Sequence, residues 1–118
     1  MTQTESIQPI TQQWTTICPL ERILPNTGVC ALVNDRQIAV FRVGEGEDVY
    51  AIENYDPFSK ASVLSRGIVG DRNGIPKVAS PIYKQNFSLL TGECLDDPTI
   101  SVKTFPVQVV DGQVQVSG

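Results

Sequence analysis

Residues 106–116 read PVQVVDGQVQV, and this stretch decides the fold class. Two runs of alternating residues flank the pair Asp111-Gly112. An Asp-Gly pair between alternating runs is a strong hairpin signal, because a tight turn needs residues that tolerate the left-handed backbone conformation. Pairing across the turn sets Val109 opposite Val114 and Val107 opposite Val116. Gln108 and Gln115 then share the other face. One face is core and the other is wet.

The same grammar recurs upstream. VCALV (29–33) and QIAVFRV (37–43) flank Asn34-Asp35-Arg36. RVGEGEDVYAIE (42–53) turns at Gly44-Glu45-Gly46, and GIVGDRNGIPKVAS (67–80) turns at Asn73-Gly74. NFSLL (86–90) is a further strand candidate, ended by Thr91-Gly92. No stretch sustains the i, i+3, i+4 spacing of a helix; the best candidate, SKASVLSR (59–66), allows at most two turns. The prediction is an all-β chain, a sandwich or barrel of small antiparallel sheets. Residues 1–13 are expected to form a short flexible N-terminal segment and residues 14–118 one domain. Residues 54–98, with longer loops, form a subdomain inserted between the outer strands.

Composition removes several functions. The 118 residues carry a net charge of -4. That balance argues against nucleic acid, whose binders need a basic face, and against an anionic membrane surface. No apolar run approaches the ~20 residues needed to span a bilayer. The N-terminus has no basic segment followed by an apolar one, which points to a cytoplasmic protein. There is no histidine, so Ser-His-Asp and Cys-His catalysis are excluded. No glycine-rich phosphate loop follows a strand. The three cysteines, Cys18, Cys30 and Cys94, make no disulfide framework. Cys18 and Cys30 lie in apolar, strand-like settings and read as buried. Cys94, after Thr91-Gly92-Glu93, reads as more exposed. The acidic groups Glu45-Glu47-Asp48 and Asp96-Asp97 read as solvated turn charges.

Two loops remain: NYDPF (54–58) and SPIYKQNFSLLTGE (80–93). Together they resemble the ligand loops of Rieske iron–sulfur proteins, N-x-C-P-H and C-P-x-H-G-x-x-F followed by T-G-E. In this chain Asp56 and Phe58 stand at the first cysteine and histidine positions, and Ser80 and Tyr83 at the second. Pro57 and Pro81 remain. A Rieske centre needs two thiolates and two imidazoles, and an all-cysteine cluster needs four thiolates. Composition alone therefore excludes a cluster ligated only by cysteine and histidine. The oxygens of Asp56, Tyr83 and Ser80 would make a poor site for a hard cation.

DPFSKASVLSRGIVGD (56–71), VASPIYKQNFSLLTGECLDDP (78–98) and FPVQVVDG (105–112) resemble one branch of this group, the small subunits of cytoplasmic NAD(P)H-dependent nitrite reductase. The resemblance implies a Rieske-type fold without cluster ligands. It implies a non-catalytic role beside a large subunit that carries FAD, an iron–sulfur cluster and siroheme, and that reduces nitrite to ammonium with NAD(P)H in nitrate assimilation. This chain would hold no cofactor. The alternative is a free-standing, cluster-less binding module for another reductase or a small ligand.

What the four replaced positions do has two readings. Phe58 and Tyr83 would fill the vacated space as an aromatic pair, with Asp56 and Ser80 exchanging a hydrogen bond across it. Or the loop tip has become a docking surface, with Phe58 as anchor and Lys60, Arg66, Tyr83 and Lys84 as rim.

Overall fold

Three two-residue turns organise the strands, and each has both central residues at positive φ: Asn34-Asp35 (51° and 65°), Asn73-Gly74 (53° and 85°) and Asp111-Gly112 (52° and 76°). This geometry matches the right-handed twist of the strands it joins. The computed structural model describes residues 13–118. The expectation for residues 1–12 lies outside the described residues.

The chain is all-β. Strands β1 (Thr15–Pro19), β11 (Val107–Val110) and β12 (Gln113–Val116) form one antiparallel sheet, in the order β1-β12-β11. A second antiparallel sheet runs β10-β4-β3-β2, from β2 (Thr27–Val33), β3 (Arg36–Arg42), β4 (Val49–Glu53) and β10 (Thr104–Phe105). Between β4 and β10 lie a short ribbon of β5 (Tyr55–Asp56) and β6 (Ala61–Ser62), and a three-stranded sheet of β7 (Ile68–Arg72), β8 (Ile75–Ala79) and β9 (Asn86–Ser88). The C-terminal register is the one the sequence predicts: Val109 pairs with Val114, Val107 with Val116 and Gln108 with Gln115. Gln108 Nε2 donates to Gln115 Oε1 at 2.7 Å on the wet face.

The alternation of β3 and β4 builds two cores. Ile38, Val40 and Ala51 face the β1-β12-β11 sheet and pack with Val33, Phe105, Val114 and Val116. Ala39, Phe41 and Ile52 face the other way, toward Leu64, Val78, Phe87 and Leu89. A strand buried on both faces needs a continuous apolar run, and IAVF at 38–41 supplies it.

Several local expectations are corrected. Arg36 belongs to β3, opposite Val33, not to the turn. β9 ends at Ser88; Leu89 and Leu90 enter the following turn, where the Ser88 hydroxyl accepts the N–H groups of Leu90 and Thr91. The helical candidate 59–66 holds no α-helix: it runs from the end of a turn through the two-residue strand Ala61–Ser62 to a single 3-10 turn at Leu64–Arg66. Cysteine exposure is reversed: Cys94 is fully buried, while Cys30 is exposed and Cys18 half-buried. Cys94 bridges to Phe87 and gives its N–H to Ile100 O, which turns its side chain into the second core. Ala31 and Val33 take the inward face of β2, and alternation leaves Cys30 outside.

Candidate functional site

The two loops the sequence singles out are brought together. Each follows the same plan. In the first, Asp56-Pro57-Phe58-Ser59-Lys60, Asp56 Oδ1 accepts the Phe58 N–H at 2.9 Å and Asp56 O accepts the Lys60 N–H at 2.7 Å. In the second, Ser80-Pro81-Ile82-Tyr83-Lys84, Ser80 Oγ accepts the Ile82 N–H at 3.4 Å and Ser80 O accepts the Lys84 N–H at 3.1 Å. A side-chain oxygen that satisfies the N–H two residues on builds a tight turn locally, and the proline after it presets the backbone. Both loops end on a lysine in the left-handed conformation, Lys60 at φ 58° and Lys84 at φ 65°.

The first residues of the two loops are bonded to each other. Ser80 Oγ donates to Asp56 Oδ2 at 2.5 Å, and Ser59 Oγ donates to the same oxygen at 2.9 Å. Both Asp56 and Ser80 are buried. Burial pushes the Asp56 carboxyl up. The hydrogen bonds from Ser80, from the Phe58 N–H and from Ser59 outweigh it and hold the acid below its ordinary value. The carboxylate is the form these donors favour. The expected exchange between Asp56 and Ser80 is therefore present.

The expected aromatic pair is not. Phe58 is half-buried and packs its ring against Phe87, with centroids 6.1 Å apart and planes tilted by 55°. Tyr83 is 61% exposed. The first loop turns its third residue inward onto the core, whereas the second carries its fourth residue to the surface. Lys60, Lys84 and Arg66 are exposed. Arg66 is not part of either loop: it ends the 3-10 turn that starts at Leu64, beside Ser65, whose N–H is held by Asn54.

Two residues that organise the site were not assigned that role by sequence reasoning. Asn54 is buried, and its Oδ1 accepts the Ser65 N–H at 2.7 Å. Its Nδ2 lies 3.1 Å from Gln37 Oε1 and 3.1 Å from Ser62 O. It thus ties the two-cored body to the first loop and the 3-10 turn. Asp96, expected to be a solvated turn charge, is a clamp on the second loop. Its Oδ2 accepts the backbone and side-chain N–H groups of Asn86 at 2.8 and 3.0 Å, and its Oδ1 pairs with Arg72 at 3.1 Å. The Asn86 backbone hydrogen bond is the main reason its carboxyl is held low, with the Asn86 amide and Arg72 adding to it against desolvation. Nothing local in the sequence sets Asp96 apart from other turn acids, since Asn86 and Arg72 reach it only through the fold.

The chain matches the family model described as a Rieske-like [2Fe-2S] domain over residues 13–117. It is 49% identical to the nitrite reductase (NADH) small subunit of Escherichia coli K12, covering 90% of this chain and 98% of that one. A crystal structure of an NADH-dependent nitrite reductase small subunit from Mycobacterium tuberculosis superposes with a TM-score of 0.87 at 49% identity, covering 92% of this chain and 97% of that one. The nitrite reductase [NAD(P)H] large subunit of Klebsiella oxytoca contains a segment 45% identical to this chain, spanning 87% of this chain and 11% of that protein.

The residues present do not fit the cluster in the family's description. A [2Fe–2S] centre of this type takes thiolate and imidazole ligands, and Asp56, Phe58, Ser80 and Tyr83 offer neither. The Asp56 carboxylate is occupied by internal donors, and the Phe58 side chain has no ligating atom. Among the described residues no three His, Cys, Asp or Glu side chains gather as a metal site.

Proposed function

The chain belongs to the nitrite reductase [NAD(P)H] small subunits of the Rieske-like family, and we propose that it is the non-catalytic partner of a nitrite reductase large subunit. The observation that carries this reading is the Asp56–Ser80 bridge. The fold keeps both ligand loops and their prolines, yet joins them through a carboxylate and a hydroxyl. Such a bridge fixes the loops in space and has no redox chemistry of its own. A scaffold kept while its electron carrier is replaced fits a subunit that binds. Nitrite reduction needs cofactors for hydride and multi-electron transfer; the large subunit supplies FAD, an iron–sulfur cluster and siroheme, and takes electrons from NAD(P)H. The complex would work in the cytoplasm, in nitrate assimilation. Among the described residues no helix is long and apolar enough to cross a membrane.

The Klebsiella relative supports the pairing. A segment like this chain lies within a large-subunit chain, which supports an association of the two. The same association here would be intermolecular.

Reconstitution tests the proposal. The cognate large subunit is purified alone and with this chain, and nitrite-dependent NAD(P)H oxidation is followed. The expected result is a stable complex with higher or longer-lived activity than the large subunit alone, and no activity from this chain. A large subunit that ignores the chain, in binding and in turnover, overturns the proposal.

A further inference from the structure

Seven non-glycine residues among those described have positive φ, and five of them are Asn or Asp: Asn26, Asn34, Asp35, Asn73 and Asp111. Those are the types whose short polar side chains tolerate the left-handed region. The other two are Lys60 and Lys84. Lysine has no local compensation there, and glycine or asparagine would hold the same turn at lower cost. Strain kept at equivalent positions of two equivalent loops calls for a function that repays it.

Both lysines are exposed, and neither forms an ion pair with the described residues. Before Lys84 the second loop exposes Ile82 (45%) and Tyr83 (61%), next to Pro81. The carboxylates of the first loop and of the turn after the second are already engaged. Asp56 is buried under Ser80 and Ser59, Asp96 is held by Asn86 and Arg72, and Asp97 accepts the N–H and hydroxyl of Thr99. A chain with a net charge of -4 thus carries two unpaired cations on the paired loops, one of them next in sequence to the exposed Ile82 and Tyr83. An apolar centre with a charged rim is the anatomy of a protein interface.

We propose that Lys60 and Lys84, held by the paired turns, are the charged rim of the surface that docks an acidic-rimmed apolar patch of the large subunit, with Ile82 and Tyr83 at its centre. The proposal rests on the reading of this chain as that subunit's partner. It removes two residues from the surface expected from sequence: Phe58, whose ring is turned onto Phe87, and Arg66, which lies outside both loops. The Asp56–Ser80 bond sets the spacing of the two turns, and so of the two charges.

The test uses the cognate large subunit and three variants of the full chain. Lys60→Gly/Lys84→Gly removes the charges while keeping the backbone donors and relieving the strain. Its melting temperature should be unchanged or higher, and its affinity lower, with a flatter dependence on salt. Lys60→Glu/Lys84→Glu should weaken binding by roughly tenfold or more, since like charges across an interface are costly. Ile82→Ala/Tyr83→Ala should weaken binding at high and low salt alike. Full affinity in all three variants, while the wild-type chain binds, overturns this surface and leaves the wider function standing. No binding by the wild-type chain overturns both. Self-association of the isolated chain that the same variants abolish assigns the surface to a second copy, and also overturns the proposal.

Discussion

Ser80 and Asp56 stand 24 residues apart in sequence, yet Ser80 Oγ donates to Asp56 Oδ2 at 2.5 Å inside the protein. The bond joins the first residues of two similar turns. Removing the donor with Ser80→Ala leaves a buried carboxylate short of one partner, which costs about 1–3 kcal/mol. The same bond predicts a pH dependence. The folded-state acid lies below its ordinary value, so its contribution is fully present above the unfolded value of about 3.9. It is lost as pH falls through the folded value. Thermal melts taken downward from about pH 5 should show a falling acid limb that Asp56→Asn flattens, with lower stability at neutral pH. Part of the limb should survive in that variant, because the Asp96 carboxyl is also held low.

Asn54 is the joint between the body and the first loop. Its side chain serves Ser65, Gln37 and Ser62, while its backbone N–H bonds Gln37 O and its carbonyl accepts from Leu64. Asn54→Ala strands the Ser65 N–H and the Ser62 carbonyl. The expected loss is about 1–3 kcal/mol in denaturant unfolding, the range for groups left without partners. An unchanged midpoint would show that water replaces the amide at no cost.

Gly92 and Gly74 offer a controlled comparison. Both have positive φ, 82° and 85°. A Cβ at Gly74 meets open space, while one at Gly92 would overlap the carbonyl oxygen of Val102. Gly74→Ala should cost about 1 kcal/mol, the price of the left-handed conformation alone. Gly92→Ala should cost at least about 3 kcal/mol, at the upper end of ordinary point substitutions. Parallel urea titrations of the two variants measure the difference.

Purified without air, the protein should be colourless and carry iron far below one atom per chain. The donor set at positions 56, 58, 80 and 83 supplies no thiolate and no imidazole, which such a centre requires. Elemental analysis with an absorption spectrum checks this. Stoichiometric iron with a visible band would refute the assignment of those positions.

The hairpins were legible because turn chemistry is local. Asn73-Gly74 and Asp111-Gly112 carry their backbone geometry in their own residue types, and the valine register follows from alternation. The positions of the two loops were legible from their spacing and prolines. What each side chain does there was not. Phe58 finds Phe87 on the later strand β9, a contact with no local signature. Asp96 looks like any acid in a turn until Asn86 and Arg72 are brought beside it. Cys30 and Cys94 exchange their expected exposure because VCALV is apolar on both faces. Only the phase of β2 in the sheet decides which face is covered.

Phe58 and Tyr83, the aromatic residues of the two loops, belong to different parts of the energetics. Phe58 is half-buried against Phe87. Phe58→Ala opens space beside the second core; full burial would put the cost near 3–5 kcal/mol, and partial exposure lowers it to about 2–3 kcal/mol. Tyr83 is 61% exposed with no described hydrogen-bond partner for its hydroxyl, so Tyr83→Ala should change stability by no more than about 0.5 kcal/mol. Binding should rank the other way. A tyrosine at the centre of an interface loses on the order of 2 kcal/mol when truncated, about thirtyfold in affinity. Phe58→Ala should affect binding only through the fraction unfolded or through a displaced loop. Measured together by thermal unfolding and titration against the large subunit, the two variants should fall at opposite corners. If Tyr83→Ala binds as the wild type does while Phe58→Ala loses affinity with its fold intact, the first loop rather than the second carries the anchor.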